Sequence, residues 1–225
     1  EQALNGTYQK LRGLVGNCGY LIGEMRSDNT HYTIYMVDRG EPYLFREEIA
    51  DFTNDNRNQW SSEMYTQCYS GISRTNAILS RIGNMDFAEN FKNRIIGETK
   101  FLRAFYYFQL VRRFGGVTLH LEEVKGTGNA FLPRASLDEV YKQILEDVDD
   151  AIAKLGVVAF PQDGAATKGA ARMLKAYVLM TRPDRDYHGA EAELREIMKI
   201  GYELLPDYNS IYETSNNCPL NTSDA

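Results

Sequence analysis

Several things are scarce in this sequence. Its 225 residues include one Trp, three Cys, three His and six Pro. No apolar run approaches the ~18 residues that a membrane-crossing helix needs. With 25% charged residues and a mean hydropathy of -0.44, a transmembrane helix is excluded, while 43% hydrophobic residues are too many for a disordered chain. Basic excess is also missing: 25 Lys and Arg face 31 Asp and Glu, a net charge of -6. That balance disfavours nucleic acid as a partner, which needs a basic footprint. Cys18, Cys68 and Cys218 are far apart and form no Cys-x-x-Cys pair, so zinc and thioredoxin-type chemistry have no ligand set. Residues Glu1 to Gly6 show neither a basic nor an apolar leader region.

Catalytic signatures are missing as well. His31, His120 and His188 are scattered, and none sits in a His-Glu-x-x-His motif; each reads as a surface or packing residue. There is no Gly-x-Ser-x-Gly elbow. Thr167-Lys168-Gly169 inverts the order a Walker A loop needs and reads as a helix start with Thr167 as its N-cap. Carboxylates are plentiful, but no pair is singled out for glycosidase work. The expectation is no catalytic residue, no metal and no cofactor.

What the chain does have is tyrosine and helical periodicity. Fifteen Tyr and ten Phe need helix edges or a wet surface for their ring tips. Residues 3–15 put Leu4, Tyr8, Leu11 and Val15 on one face, and Trp60, Met64, Cys68, Ile72, Leu79 and Ile82 form a second stripe. A third helix runs from about Phe87 to Phe114 and is apolar nearly all round from Phe101 to Phe108, so it must be buried. Ser136-x-x-Glu139 is a capping box ahead of Leu137, Val140, Tyr141, Ile144, Val148, Ile152 and Leu155, and Gly156 stops that stripe. Residues 167–181 and 187–200 predict a helical hairpin. The small-then-large patterns Ala104, Phe108, Val111 and Ala190, Leu194, Ile197 suit tetratricopeptide-like pairs. The fold class is therefore all-α, built from tetratricopeptide-like helical hairpins with long irregular loops.

Two stretches break the helical pattern, 115–135 and 26–58. Loops longer than about 15 residues inside a domain are commonly functional. Segment 26–58 gathers Asp28, Asn29, Tyr32, Tyr35, Arg39, Tyr43 and Asn56. Flat rings suit the C–H faces of a sugar, and carboxylate, amide and guanidinium groups suit its hydroxyls. The bland alternative is a loop pinned to the helices by its aromatics, its polar groups serving its own backbone.

The stretch Ile96-Gly97-Glu98-Thr99-Lys100-Phe101-Leu102-Arg103-Ala104-Phe105-Tyr106-Tyr107-Phe108, continuing to Phe114-Gly115-Gly116-Val117, resembles the SusD/RagB family of surface glycan- and nutrient-binding lipoproteins of Bacteroidetes. Further matches are Ser27-Asp28-Asn29-Thr30, the helix carrying Trp60, Tyr65, Ile72 and Asn76, Pro133-Arg134-Ala135-Ser136 and Ala166-Thr167-Lys168-Gly169. The resemblance implies one SusD-like helical domain over 1–225, with 26–58 as an inserted ligand-face loop. It also implies a non-enzymatic protein that captures oligosaccharide and passes it to a TonB-dependent, SusC-like outer-membrane transporter. Family members are lipid-anchored through an N-terminal cysteine, so here the anchor is expected in a removed leader. Family chains run longer, so 1–225 is expected to be an N-terminal portion or a truncated member. Within the resemblance, only Asp28 and Asn29 match the family inside the candidate site; Tyr32, Tyr35, Arg39, Tyr43 and Asn56 rest on chemistry and position. Glu98, Arg103 and Arg134 are read as ion pairs, and Trp60, Phe105 and Tyr106 as core. Two other readings stay open: a helical-repeat adaptor that binds only protein, and a glycoside hydrolase.

Overall fold

In the computed structural model, which describes residues 1–27, 29–32, 37, 40–158 and 164–202, the chain is a succession of antiparallel helices. They are α1 (Gln2–Gly13), α2 (Tyr20–Glu24), α3 (Glu41–Ala50), α4 (Gln59–Ile82), α5 (Glu89–Phe114), α6 (Leu137–Lys154), α7 (Lys168–Thr181) and α8 (Tyr187–Met198). Sequential neighbours pack on one another along the series α4–α5–α6–α7–α8, with α1 lying on α4. No strand forms among the described residues beyond the single bridge between Thr118 and Arg134. The all-helical class expected from periodicity is the observed one.

Local chemistry sets the helix starts. Asn58 caps α4 by accepting from the N–H groups of Trp60 and Ser61 at 3.2 and 3.4 Å. Ser136 and Glu139 close a full capping box on α6, and Thr167 caps α7 through the N–H of Ala170. Such caps satisfy the donors that a helix start leaves unpaired and contribute about 1 kcal/mol each.

Two elements depart from the periodicity. Residues 41–50, inside the stretch read as irregular, form α3, entered through extended Gly40 with Pro42 in the first turn. Pro is tolerated there because its missing N–H would be unpaired in any case. Between α1 and α2, Leu14–Gly19 widen into a π-helical turn. A Cβ on Gly19 would stand 2.3 Å from the carbonyl oxygen of Leu14, so this turn needs glycine.

The core runs the length of the α4–α5–α6 contact. Met64, Cys68, Ile72, Leu102, Tyr106, Tyr107, Leu110, Val140, Ile144 and Val148 are fully buried. Trp60 is buried too, while Phe105 packs against this core half-buried. Gly71 lets α5 approach, since a Cβ there would meet the Tyr106 ring at 2.4 Å. The Tyr106 hydroxyl reaches the carbonyl of Thr7 on α1 at 2.8 Å.

A buried charge network ties segment 115–135 to this frame. Arg103 donates to both carboxylate oxygens of Asp147 at 2.7 Å, and Lys100 donates to the same carboxylate at 2.8 Å. The Arg103 guanidinium also donates to Asn76 Oδ1 and to the carbonyl of Leu121. Asn76 in turn donates to the carbonyls of His120 and Glu122, so its place on an apolar stripe is explained by backbone bonding. Tyr107 and Tyr69 hold His120 and Thr118 through their hydroxyls. Of the three charged residues expected to pair, Arg103 forms the bidentate ion pair. Glu98 accepts from the Tyr8 hydroxyl at 2.7 Å and lies 3.6 Å from Arg94. Arg134 departs from expectation: it donates to the carbonyls of Phe114 and Gly116, bracing the turn, and meets no carboxylate among the described residues. Cys18 and Cys68 are free and buried, and Cys218 lies outside the described residues. No described helix is long and apolar enough to cross a membrane.

Candidate ligand-binding site

The start of α4 organises the segment between α2 and α4. Besides capping α4, the Asn58 amide donates to the Phe45 carbonyl and the Glu48 carboxylate on α3, at 2.8 and 3.1 Å. Arg26, just past α2, donates to the Ile49 carbonyl at 3.3 Å and to Asn54 Oδ1. Its guanidinium also lies 5.2 Å from the ring centre of Phe52. Phe52 holds φ 58, a left-handed backbone that a bulky residue adopts only where its surroundings enforce it. Asn54 completes the link by donating to Ser61 Oγ on α4.

These ties leave a cleft of about 510 Å³ between segment 54–56, the α4 face and the end of α5. Asn54, Asn56, Ser61 and Ser62 supply amides and hydroxyls to its wall, and Arg26 and Arg113 supply guanidinium groups. The apolar part is Ile22, Tyr65 and Phe114. Tyr65 is 39% exposed, enough to offer ring surface to a ligand. It is held edge-on by Phe114 at 5.3 Å and leans on Tyr69 at 4.7 Å between ring centres. Asp55, the carboxylate of the cleft, is bound by Arg57 at 2.8 Å and held below the usual carboxylate range by that side-chain hydrogen bond. Arg113 is half-buried; burial first, then its neighbours Arg112 and Arg26, push its ionisation down to about 10. It stays cationic at neutral pH.

The expected site residues divide. Asn56 is exposed and lines the cleft. Tyr32 and Tyr43 come together, ring centres 6.4 Å apart, but in a different constellation. There Arg46 lies between the rings of Tyr32 and Trp60, at 5.6 and 5.3 Å, and its buried Nε finds no hydrogen-bond acceptor. Both tyrosines are half-buried, and one face of Tyr32 is taken by Arg46. Arg46 thereby ties Tyr32 to Trp60 at the start of α4. Asn29 is exposed, its N–H bonded to Ser27 Oγ at 3.3 Å. Asp28, Tyr35 and Arg39 lie outside the described residues.

Tyr65, Arg26, Arg113 and Phe114 were not singled out as site residues by sequence reasoning. The sequence marks only two of them: Tyr65 falls off the Trp60–Met64–Cys68–Ile72 stripe, and the Arg112-Arg113 doublet follows the mostly apolar stretch 101–111; nothing in it brings them together. No group of three or more His, Cys, Asp or Glu residues able to hold a metal occurs among the described residues.

Helix pairs stacked in series, with loops gathered around an aromatic, amide-lined cleft, define a tetratricopeptide-like helical protein. The chain belongs to the SusD-like family described as starch-binding and associating with the outer membrane, whose profile matches residues 4–177. Two SusD-like proteins of Formosa agariphila are similar to it. One is 31% identical over 160 residues, covering 69% of this chain and 29% of the relative. The other is 26% identical over 178 residues, covering 78% and 35%. Among solved structures, a laminarin-binding SusD-like protein is similar at 26% identity and a TM-score of 0.82, covering 96% of this chain and 48% of that one. A SusD-like protein of Bacteroides fragilis follows at 29% identity and a TM-score of 0.77, covering 95% and 41%. The chain thus spans about a third of the length of these curated relatives and under half that of the solved ones.

Proposed function

We propose that this chain is the helical part of a non-enzymatic, cell-surface glycan-binding protein of the outer membrane. It captures oligosaccharide and hands it to a TonB-dependent, SusC-like transporter, and it is held at the surface by a lipid anchor. The observation that carries the binding reading is the cleft: an exposed Tyr65 ring beside amides, hydroxyls and guanidinium groups, on a frame similar to that of a laminarin-binding protein. A sugar ring covers Tyr65, and the Asn54 and Asn56 amides with Ser61 and Ser62 take its hydroxyls. Asn29 and the solvent-facing parts of Tyr32 and Tyr43 offer further sugar contacts beside the cleft. Binding is stacking plus hydrogen bonding, with no covalent step.

The test is calorimetric titration of the 225-residue chain with a panel of neutral and acidic oligosaccharides, alongside Tyr65→Ala. Aromatic contacts contribute about 0.5–1.5 kcal/mol beyond the area they bury, so the variant loses roughly three- to tenfold or more in affinity. Sugar release during incubation would favour a hydrolase instead. A folded chain that binds no glycan but retains a transporter partner on copurification would favour a protein-only adaptor.

A further inference from the structure

The cleft carries more positive charge than a neutral sugar needs. Arg26 and Arg113 both line it, and neither forms an ion pair with a carboxylate among the described residues. Arg113 spends only Nη1 on protein, bonding the side-chain and main-chain oxygens of Gln109 at 2.7 and 3.4 Å. Arg26 spends Nε and Nη2, on Ile49 and Asn54. Nε and Nη2 of Arg113 and Nη1 of Arg26 therefore have no protein acceptor among the described residues. Asp55 does not offset them, because Arg57 binds it through the side chain and through its own N–H.

The electrostatics agree. The groups acting most on Arg113 are its own burial, Arg112, Cys68, Cys18 and Arg26, with no carboxylate among them. Half-burying one guanidinium near another without a counterion is unfavourable, since each charge loses hydration and repels its neighbour. The one acidic side chain that lines the cleft, Asp55, is paired with Arg57 and not with Arg26 or Arg113. Vacant guanidinium donors on one cleft suit an oxyanion, which guanidinium groups bind by paired, charge-assisted hydrogen bonds.

We propose that the ligand of this cleft is an anionic oligosaccharide whose uronate carboxylate or sulfate ester sits between Arg26 and Arg113 while an adjoining sugar ring covers Tyr65. This rests on the glycan-binding reading above and narrows its substrate class. The same cleft then selects against neutral glycans, because they leave both cations uncompensated.

Calorimetric titration at low salt tests it with four probes: oligogalacturonate, the same oligomer with its carboxyl groups reduced to alcohols, a sulfated galactan oligosaccharide, and its desulfated counterpart. At least one charged probe is expected to bind roughly ten- to a hundredfold more tightly than its neutral partner, the range of one charge-assisted contact. Which pair shows the difference identifies the oxyanion. Arg113→Gln is expected to abolish that preference, and added salt is expected to weaken only the charged ligand. Equal affinity for charged and neutral partners in both pairs overturns the acidic-ligand proposal and leaves glycan binding standing. Binding to none of these probes or to any panel glycan overturns both. The comparison between probes needs only the unmodified chain, so a poorly folding variant does not blunt it.

Discussion

Replacing Asp147 by Ala removes the carboxylate at the centre of the buried network, and its cost can be worked from the contacts. Asp147 is fully buried and Arg103 is 3% exposed. The substitution deletes three charge-assisted hydrogen bonds, two from Arg103 and one from Lys100. Lys100 has an alternative, because Asp150 lies 3.7 Å away and its ammonium is partly solvated. Arg103 has none: it keeps the neutral acceptors Asn76 Oδ1 and the Leu121 carbonyl, at 2.9 and 3.0 Å, and loses its counterion. Breaking a buried pair in this way costs about 3–5 kcal/mol. For a chain of this size each kcal/mol lowers Tm by about 2–4 °C, so the expected drop is about 6–20 °C. Thermal and urea unfolding followed by far-UV circular dichroism measure it. The double variant Arg103→Met with Asp147→Leu removes the charge problem and should recover part of the loss. A residual of about 1–3 kcal/mol is expected for buried Asn76 Oδ1, which loses its donor, while the Leu121 carbonyl belongs to a residue 38% exposed and can turn to water. A single variant within 1 kcal/mol of the parent, or a double variant no more stable than the single, would refute the view that an uncompensated cation is what the network prevents.

Two further outcomes follow from the same frame. Gly71→Ala, which in an exposed helix gains roughly 1 kcal/mol, should instead lose about 1–3 kcal/mol in urea unfolding, because its Cβ meets the Tyr106 ring at 2.4 Å. Burial pushes the Cys68 thiol from 9.0 up to about 12, with Cys18 adding to the shift, so above pH 9 the folded chain keeps a proton that the unfolded chain releases. This thiol therefore leaves stability unchanged below about pH 9. Above it the unfolding free energy falls by up to about 1.4 kcal/mol per pH unit until pH reaches the folded value. Urea titrations from pH 9 to 10 should show a shallower decline for Cys68→Ala than for the parent, the tyrosines contributing alike to both; an identical slope would refute the assignment.

The frame was legible in the sequence because it depends on short-range rules. Ser136 with Glu139 marks the start of α6, Thr167 that of α7, and the apolar run 101–108 the central helix, since caps and periodicity act within a turn or two. Helix α3 was hidden because its ten residues carry no clean apolar stripe; Glu47, Ile49 and Ala50 are buried only once Asn58 bonds α3 to the start of α4. The π-helical turn was hidden for a different reason: nothing in a run holding Gly16 and Gly19 says which backbone they serve. The cleft was legible only in part. Asn56 belonged to the suspect segment, whereas Arg26, Tyr65 and Arg113 converge from three elements, a tertiary fact with no local spacing to announce it.

That convergence has a mechanical consequence. Arg113 and Phe114 end the helix whose middle is locked by Arg103 to Asp147 and by Tyr107 to segment 115–135. They lie ten and eleven residues beyond Arg103, roughly 15 Å along the helix axis. Tyr65 stands on α4, fixed against α5 at Gly71 and Tyr106. One wall of the cleft is thus carried on rigid helices, where a ring or guanidinium loses little entropy on binding. The opposite wall, Asn54 to Asn56, hangs from loop bonds made by Arg26 and Asn58. Substitutions in that loop can change which hydroxyls are read without disturbing the frame, whereas changes at Arg113 alter the charge of any ligand the cleft accepts. On the proposed glycan reading, variants of Asn54 and Asn56 should change discrimination among sugars, and Arg113→Gln should change discrimination by ligand charge.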